Sequence, residues 1–484
     1  MEMGALMHHA GSARAGHTRG TLAYRPVRTM VRVLLWLFYR RIDVVGRERI
    51  PPDGGVIVAA NHHNSVVDAM LLIATVPRTV TVLANAPLFR HPLVGPFLRM
   101  LGAVPVNRRL EAGDDPRKNE AMFTAAIDAL RAGGMILIFP EGRTQPQPIL
   151  LPLRTGAARL ALGAERAPGG PCPVTLLPVG IVFHDPGTFR SAAAQITIGT
   201  PVATAELVAA HRERPEDAVR AITARLAESI GARIVEAEDH YTLGLLEVLE
   251  RAWWEEAARR GERGPAVGES AEQALAWKRQ VMRAERYLSE REPQRVAELR
   301  RRVERYRVHL DEVGITSEQL GQPYSARLVL SYVATNALWL ALGLPLACWG
   351  IACHAVPYWM TGQVVRRLGR TQEEEATDKM AAGLVVYPLL WGVEGWLVWR
   401  LAGLVALLAF VILAVPSGLL ALVWRERLGR VARQAQAFVR FLADRDLHRR
   451  LLAERRALAE ELRALADRVP PEVLGLSQSP RDAE

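Results

Sequence analysis

The chain has 484 residues, half of them hydrophobic, and a formal charge of +10 with a pI near 10.0. That length exceeds one ordinary core, so two or more domains are expected, with apolar material left for a membrane segment. The positive balance points to an anionic partner, whether phospholipid, nucleic acid or a phosphorylated substrate. Cysteines are few, and Cys348 and Cys353 lie in a hydrophobic run with only Cys172 elsewhere, which argues against a disulfide framework and for a reducing compartment.

Residues 1–25 are small, polar and dotted with His and Arg, lack the apolar core of a secretory signal, and are expected to form a disordered leader. An apolar helical run at 30–38, followed by Arg40 and Arg41, is too short to cross a bilayer; it either lies in the membrane interface or packs on the next domain. The runs 56–60, 79–83, 135–139 and 175–182 read as buried strands, and helical stretches at 120–132 and 155–166 alternate with them. This alternation predicts an α/β domain over 26–205. Residues 206–323 form a charged, Arg/Glu-rich helical arm interrupted at 261–268, on which Trp253, Trp254 and Trp277 read as packing residues.

Residues 324–425 hold two hydrophobic blocks, 328–362 and 380–424, expected to be membrane-embedded helices, and 426–484 form an Arg-rich helical tail. The second block is long enough for two spans, with Arg400 near the turn. The first is long for one, and Pro345 either kinks it or marks a hairpin. Two hairpins would put the α/β domain, the linker around Arg366, Arg367 and Arg370, and the tail on one face, which the positive-inside tendency makes cytoplasmic; this is the expected arrangement. A single tilted first helix would separate them.

Four segments carry chemistry: Asn61-His62-His63-Asn64-Ser65-Val66-Val67-Asp68, Gly102-Ala103-Val104-Pro105-Val106-Asn107-Arg108, Phe139-Pro140-Glu141-Gly142 and Leu177-Pro178-Val179. A neutral histidine beside a carboxylate can take a proton from an attacking hydroxyl, because its ordinary pKa of about 6.5 lies near operating pH. The apolar run before Asn61 places that histidine at a strand end, with a helix starting near Ser65. Alternatively, Ser65 and Asp68 form a capping box and the histidines are polar loop residues. A guanidinium matches phosphate bidentately, which suits Arg108.

Read in order, these segments resemble the glycerolipid acyltransferase family, of the lysophosphatidic acid and glycerol-3-phosphate O-acyltransferase kind, over 26–202. The resemblance implies a catalytic base at His62 or His63 with Asp68. His63 has the family's usual spacing to Asp68, whereas His62 follows an asparagine as the family's histidine does, and the reading favours His62. It further implies Arg108 as phosphate ligand, acceptor-binding roles for Glu141 and Gly142, a weaker one for Arg143 because Arg143-Thr144 reverses the family's order, and a shaping role for Pro178. Asn107 stands where many relatives carry an acid. Since glutamate cannot attract phosphate, Glu141 would accept a glycerol hydroxyl or orient Arg108.

The expected reaction moves a fatty acyl group from acyl-CoA or acyl-carrier protein to 1-acyl-sn-glycerol-3-phosphate, with glycerol-3-phosphate as the alternative acceptor and a catalytically silent lipid-binding scaffold as the non-enzyme alternative. Expected partners are membrane phospholipids, the glycerol-phosphate acceptor and, for one donor, acyl carrier protein. No metal, no cofactor beyond the donor thioester and no nucleic acid are expected, and the predicted site is the bacterial inner membrane with the catalytic domain on its cytoplasmic face.

Overall fold

The computed structural model describes residues 21–90, 94–106, 116–167, 172–184, 187–210, 213–261, 270–315, 317–320, 326–368 and 374–475. Most of the expected leader, the 261–268 interruption after Gly261, Arg370, Asn107 and Arg108 lie outside them. The described chain divides into two compact units, 1–240 with 371–380, and 241–370 with 381–484.

In the first unit, α1 (Thr21–Phe38), β1 (Arg41–Val45), β2 (Gly55–Ala60), α2 (Ser65–Thr75), β3 (Val80–Asn85), α3 (Val94–Met100), β4 (Val104–Val106), α4 (Pro116–Arg131), β5 (Met135–Ile138), α5 (Gly156–Arg166), β6 (Val174–His184), β7 (Ala193–Ile198), β8 (Val202–Ala203), α6 (Ala205–Ala210) and α7 (Pro215–Gly231) follow one another. The strands form an eight-stranded sheet in the order β1-β7-β6-β2-β5-β3-β4, with β8 on β6. Pairs β2–β5, β2–β6, β3–β5, β3–β4 and β1–β7 are parallel, whereas β6 runs antiparallel to β7 and β8.

Both faces of the sheet are covered, so β2 is buried along its whole length and carries no polar residue. Val56, Val58 and Ala60 face a core shared with α1 and α2, while Ile57 and Ala59 face α4, α5 and α7. Tyr24, Val27, Val31 and Leu35 form the buried stripe of α1, and Arg28 and Arg32 donate to the carbonyls of Val76 and Ala74 at the end of α2. The N-terminal apolar run therefore packs one face on the domain.

Ile222, Leu226 and Ile230 of α7 are buried against the second face, which extends this unit beyond the expected boundary at 205 to His240. Ala376 and Met380 also belong to its first core.

The second unit is helical: α8 (His240–Arg259), α9 (Ser270–Arg291), α10 (Pro293–Val313), α11 (Ser317–Leu320), α12 (Ala326–Leu368), α13 (Glu375–Ala443), α14 (Arg445–Ala466) and α15 (Pro471–Leu474). Trp277 packs 6.0 Å from Trp253 and 6.4 Å from Trp254, so the arm's tryptophans are mutual packing partners. Arg455 is fully buried and pairs with Glu255 and Glu256.

The apolar blocks correct one expectation. The first is a single helix, α12, that continues through Pro345 and Pro357, not a hairpin; a proline removes one backbone donor without ending a helix held by its neighbours. The second block does turn back, at Gly403 (φ 81°, ψ −175°), where a Cβ placed on Gly395 would meet Leu407 and Phe410. The second limb of α13 runs antiparallel to α12: Trp424 donates to Leu340 O at 2.8 Å and Arg427 to Asn336 at 2.8 Å. Segments 330–367 and 375–441 are long and apolar enough to cross a membrane, and they carry exposed Leu338, Trp339, Leu401 and Val405, which marks this unit as membrane-associated.

Candidate active site

Because β2, β5, β3 and β4 are parallel, their carboxyl ends lie along one edge of the sheet, where loops of such sheets gather functional groups. β2 delivers Asn61-His62-His63 there, and β5 delivers Phe139-Pro140-Glu141. Asn61 continues the ladder with its side chain, donating to Ile181 O at 2.8 Å and accepting from Ile181 N at 2.7 Å. The strand end is thereby pinned one residue before the first histidine.

The chain enters α2 through Ser65 in the left-handed region (φ 44°), a strained conformation for a residue with a Cβ. Asn64 holds the N-cap position, and Asp68 lies in the first turn, fully buried. Its Oδ2 accepts two bonds: from Asn64 N at 2.8 Å and from His62 Nδ1 at 2.8 Å. The capping role expected of Asp68 and its pairing with histidine are thus two uses of one oxygen, and the capped residue is Asn64, not Ser65. Asn64 Nδ2 donates to the buried Tyr39 hydroxyl at 3.2 Å, whose phenol burial pushes well above the usual tyrosine range.

With Nδ1 donating to the carboxylate, His62 keeps its lone pair on Nε2, and that nitrogen has no partner among the described residues. The ring stacks on Phe139 at 4.0 Å and 12°, which fixes its plane. His63 points elsewhere: its Nδ1 lies 3.3 Å from Gln145 O, it is buried, and burial pushes its imidazole below the ordinary value.

Glu141 is only 3% exposed, with both carboxylate oxygens engaged by backbone amides: Oε1 by His62 N at 2.7 Å and Oε2 by Leu151 N at 3.0 Å. Burial nonetheless pushes its carboxyl up to about 7, against those two bonds. Gly142 follows in the left-handed region (φ +72°), and a Cβ there would lie 2.7 Å from Arg154 Cδ and Nε. Arg143 is exposed.

Pro178 is buried in the interior strand β6, opposite Ala59 of β2. On its other side β6 changes neighbour, from β8 at Leu176 to β7 at Val179, so the missing N–H interrupts no ladder; its carbonyl accepts from Gly199 N at 2.8 Å. It is therefore not an edge-strand proline.

The structure thus gathers His62, Asp68, Glu141 and Gly142 at one strand edge and turns His63 away. The sequence reading assigned no role to Phe139, Tyr39, Asn61 or Arg154. Phe139 and Asn61 lay within quoted motifs, whereas Tyr39 and Arg154 did not.

Residues 41–182 match the family model described as Acyltransferase. A 1-acyl-sn-glycerol-3-phosphate acyltransferase of Borreliella burgdorferi is 32% identical over 29% of this chain and 54% of its own length. The protein of the same name from Bacillus subtilis is 26% identical over 41% of this chain and 88% of its own, and a glycerol-3-phosphate O-acyltransferase of Saccharomyces cerevisiae is 26% identical over 43% and 27%. The chain spans about half the length of the first of these relatives. A crystal structure of the 1-acyl-sn-glycerophosphate (LPA) acyltransferase from Thermotoga maritima is 24% identical, covering 42% of this chain and 78% of that one with a TM-score of 0.31. Across residues 41–182, the chain carries a domain of the acyltransferase family.

Proposed function

We propose that the chain is an O-acyltransferase that moves a fatty acyl group from acyl-CoA or acyl-carrier protein to the free hydroxyl of 1-acyl-sn-glycerol-3-phosphate, giving phosphatidic acid at the cytoplasmic face of an inner membrane. The observation that carries this reading is the His62–Asp68 pair, with Nε2 of His62 unpartnered among the described residues. His62 Nε2 takes the acceptor's hydroxyl proton as the oxygen attacks the thioester carbonyl, and Asp68 stabilises the imidazolium that forms. The C–O bond forms, the C–S bond breaks, and the imidazolium returns the proton to the departing thiolate. No enzyme nucleophile is required.

Both Glu141 oxygens accept from backbone amides, one of them His62 N, so its role in this mechanism is to hold the backbone of His62. Arg108 remains the proposed phosphate ligand by resemblance. Glycerol-3-phosphate is the second acceptor to test, since a yeast relative is named for it.

The test supplies full-length protein in membranes with labelled lysophosphatidic acid or glycerol-3-phosphate and each thioester donor, beside His62→Ala. Transfer that His62→Ala abolishes supports the reading. Folded protein inert towards every pair would replace it with a silent lipid-binding scaffold.

A further inference from the structure

The segment 151–154 is locked against the strand end that carries the base. Leu151 N donates to Glu141 Oε2 at 3.0 Å, the same carboxylate holds His62 N at 2.7 Å, and Arg154 N donates to Pro140 O at 2.7 Å. Three hydrogen bonds therefore set the position of Arg154 relative to the His62 backbone. The Arg154 side chain lies over Gly142, where a Cβ would come 2.7 Å from both Cδ and Nε and 3.3 Å from Cζ. The absence of a side chain at 142 is what gives this guanidinium its seat.

Asp68 and Glu141 are buried, with their bonding directed to His62, Asn64 and Leu151. Arg154 is exposed and has no hydrogen bond or ion pair among the described residues. Arginines of the helical arm such as Arg295, Arg301 and Arg302 are instead paired with glutamates. An arginine held by its backbone near the strand end that carries the base, with none of its five donors engaged among the described residues, is prepared for an oxyanion that arrives with the substrate.

We infer that Arg154 binds the phosphomonoester of the acceptor. This rests on the proposed acyltransferase reading and adds a specificity-determining residue to it. In lysophosphatidic acid the phosphate is attached to the carbon next to the one bearing the reacting hydroxyl. A guanidinium seated on Gly142, next in the chain to the glutamate that holds His62, can engage the phosphate while the hydroxyl faces Nε2. A planar fork also distinguishes a phosphate from the hydroxyl of an unphosphorylated monoacylglycerol.

The experiment compares full-length wild type, Arg154→Ala and Arg154→Lys in detergent, all checked for unchanged thermal midpoints. Kinetics use lysophosphatidic acid with acyl-CoA, and titrations without donor compare lysophosphatidic acid with 1-monoacylglycerol. The expected result is a roughly tenfold to hundredfold rise in KM for lysophosphatidic acid in Arg154→Ala, as for loss of a charged hydrogen bond, with partial recovery in Arg154→Lys. KM for acyl-CoA and affinity for monoacylglycerol stay the same. A KM for lysophosphatidic acid within twofold of wild type overturns the inference, and so does a rise confined to acyl-CoA, which would assign Arg154 to the donor. If wild type transfers to no phosphorylated acceptor, the acyltransferase reading falls; the titrations then decide Arg154 separately, and equal lysophosphatidic acid affinity in wild type and Arg154→Ala overturns it.

Discussion

The backbone amide of His62 donates to the side chain of Glu141 at 2.7 Å, across 79 residues of sequence, so the end of one strand is held by the turn that follows another. Replacing Glu141 by Gln should disturb this bond, because an amide has a single acceptor oxygen for the two backbone donors His62 N and Leu151 N. A loss of kcat greater than the change in acceptor KM is expected in steady-state kinetics, since the base and not a ligand is displaced.

Glu141 also predicts a pH dependence of stability. Burial raises its folded pKa from the ordinary 4.5 to about 7, so the folded state binds the proton more tightly than the unfolded state. Its contribution is fully present below about pH 4.5 and is lost as pH rises through about 7. His63, lowered from 6.5 by burial, acts in the opposite direction: its neutral form is favoured, and stability falls as pH drops below 6.5 through its folded value. Thermal midpoints measured across pH 4 to 8 should show Glu141→Gln losing the decline towards neutral pH, with the acid-side loss from His63 intact.

Of the two adjacent histidines, only His62 should be needed for proton transfer. His62→Ala is expected to lower kcat roughly 100- to 10,000-fold. His63→Ala should act mainly through stability, since its ring is packed beneath Gln145. Equal losses of kcat from folded variants would count against the assignment.

Gly142→Ala should cost stability on two grounds. Its φ of +72° is unfavourable for alanine by about 1–2 kcal/mol, and the new methyl meets the Arg154 side chain at 2.7 Å. Denaturant unfolding measures the first effect, and acceptor KM reports the displaced guanidinium.

In the second unit, Arg455 is fully buried between Glu255 and Glu256. Arg455→Ala would leave these partners uncompensated, a loss of roughly 3–5 kcal/mol for breaking such a pair. A markedly lower thermal midpoint is expected, and a change of under a degree would contradict the buried network.

The α/β class was legible because β2, β5 and β6 are apolar runs of strand length, bounded by turns and separated by helices. The motif at 61–68 was legible as chemistry, but two neighbouring histidines share nearly the same spacing to Asp68, and only the turn through Ser65 decides which ring reaches it. The hold that Glu141 has on His62 N and Leu151 N was not legible, because its partners are backbone amides, which leave no mark in a side-chain pattern. Helix α7 was read as part of the charged arm: its buried Ile222, Leu226 and Ile230 recur at the right interval but lie among charged residues. Proline at 345 suggested a break that tertiary contacts with Trp424 and Arg427 override. Arg154 had no distinguishing signal in a chain so rich in arginine.

Gly403 sets a length as well as a direction. At 1.5 Å per residue, the limb from Gly403 to Arg425 measures about 33 Å, close to the roughly 30 Å of a bilayer's hydrocarbon. In a bilayer that this limb spanned with Arg425 among the headgroups, the turn at Gly403 and nearby Arg400 would reach the opposite boundary with little to spare. So placed, the limb would act as a ruler: a thicker membrane would draw Arg400 into hydrocarbon, and a thinner one would expose Leu401 and Val405 to water.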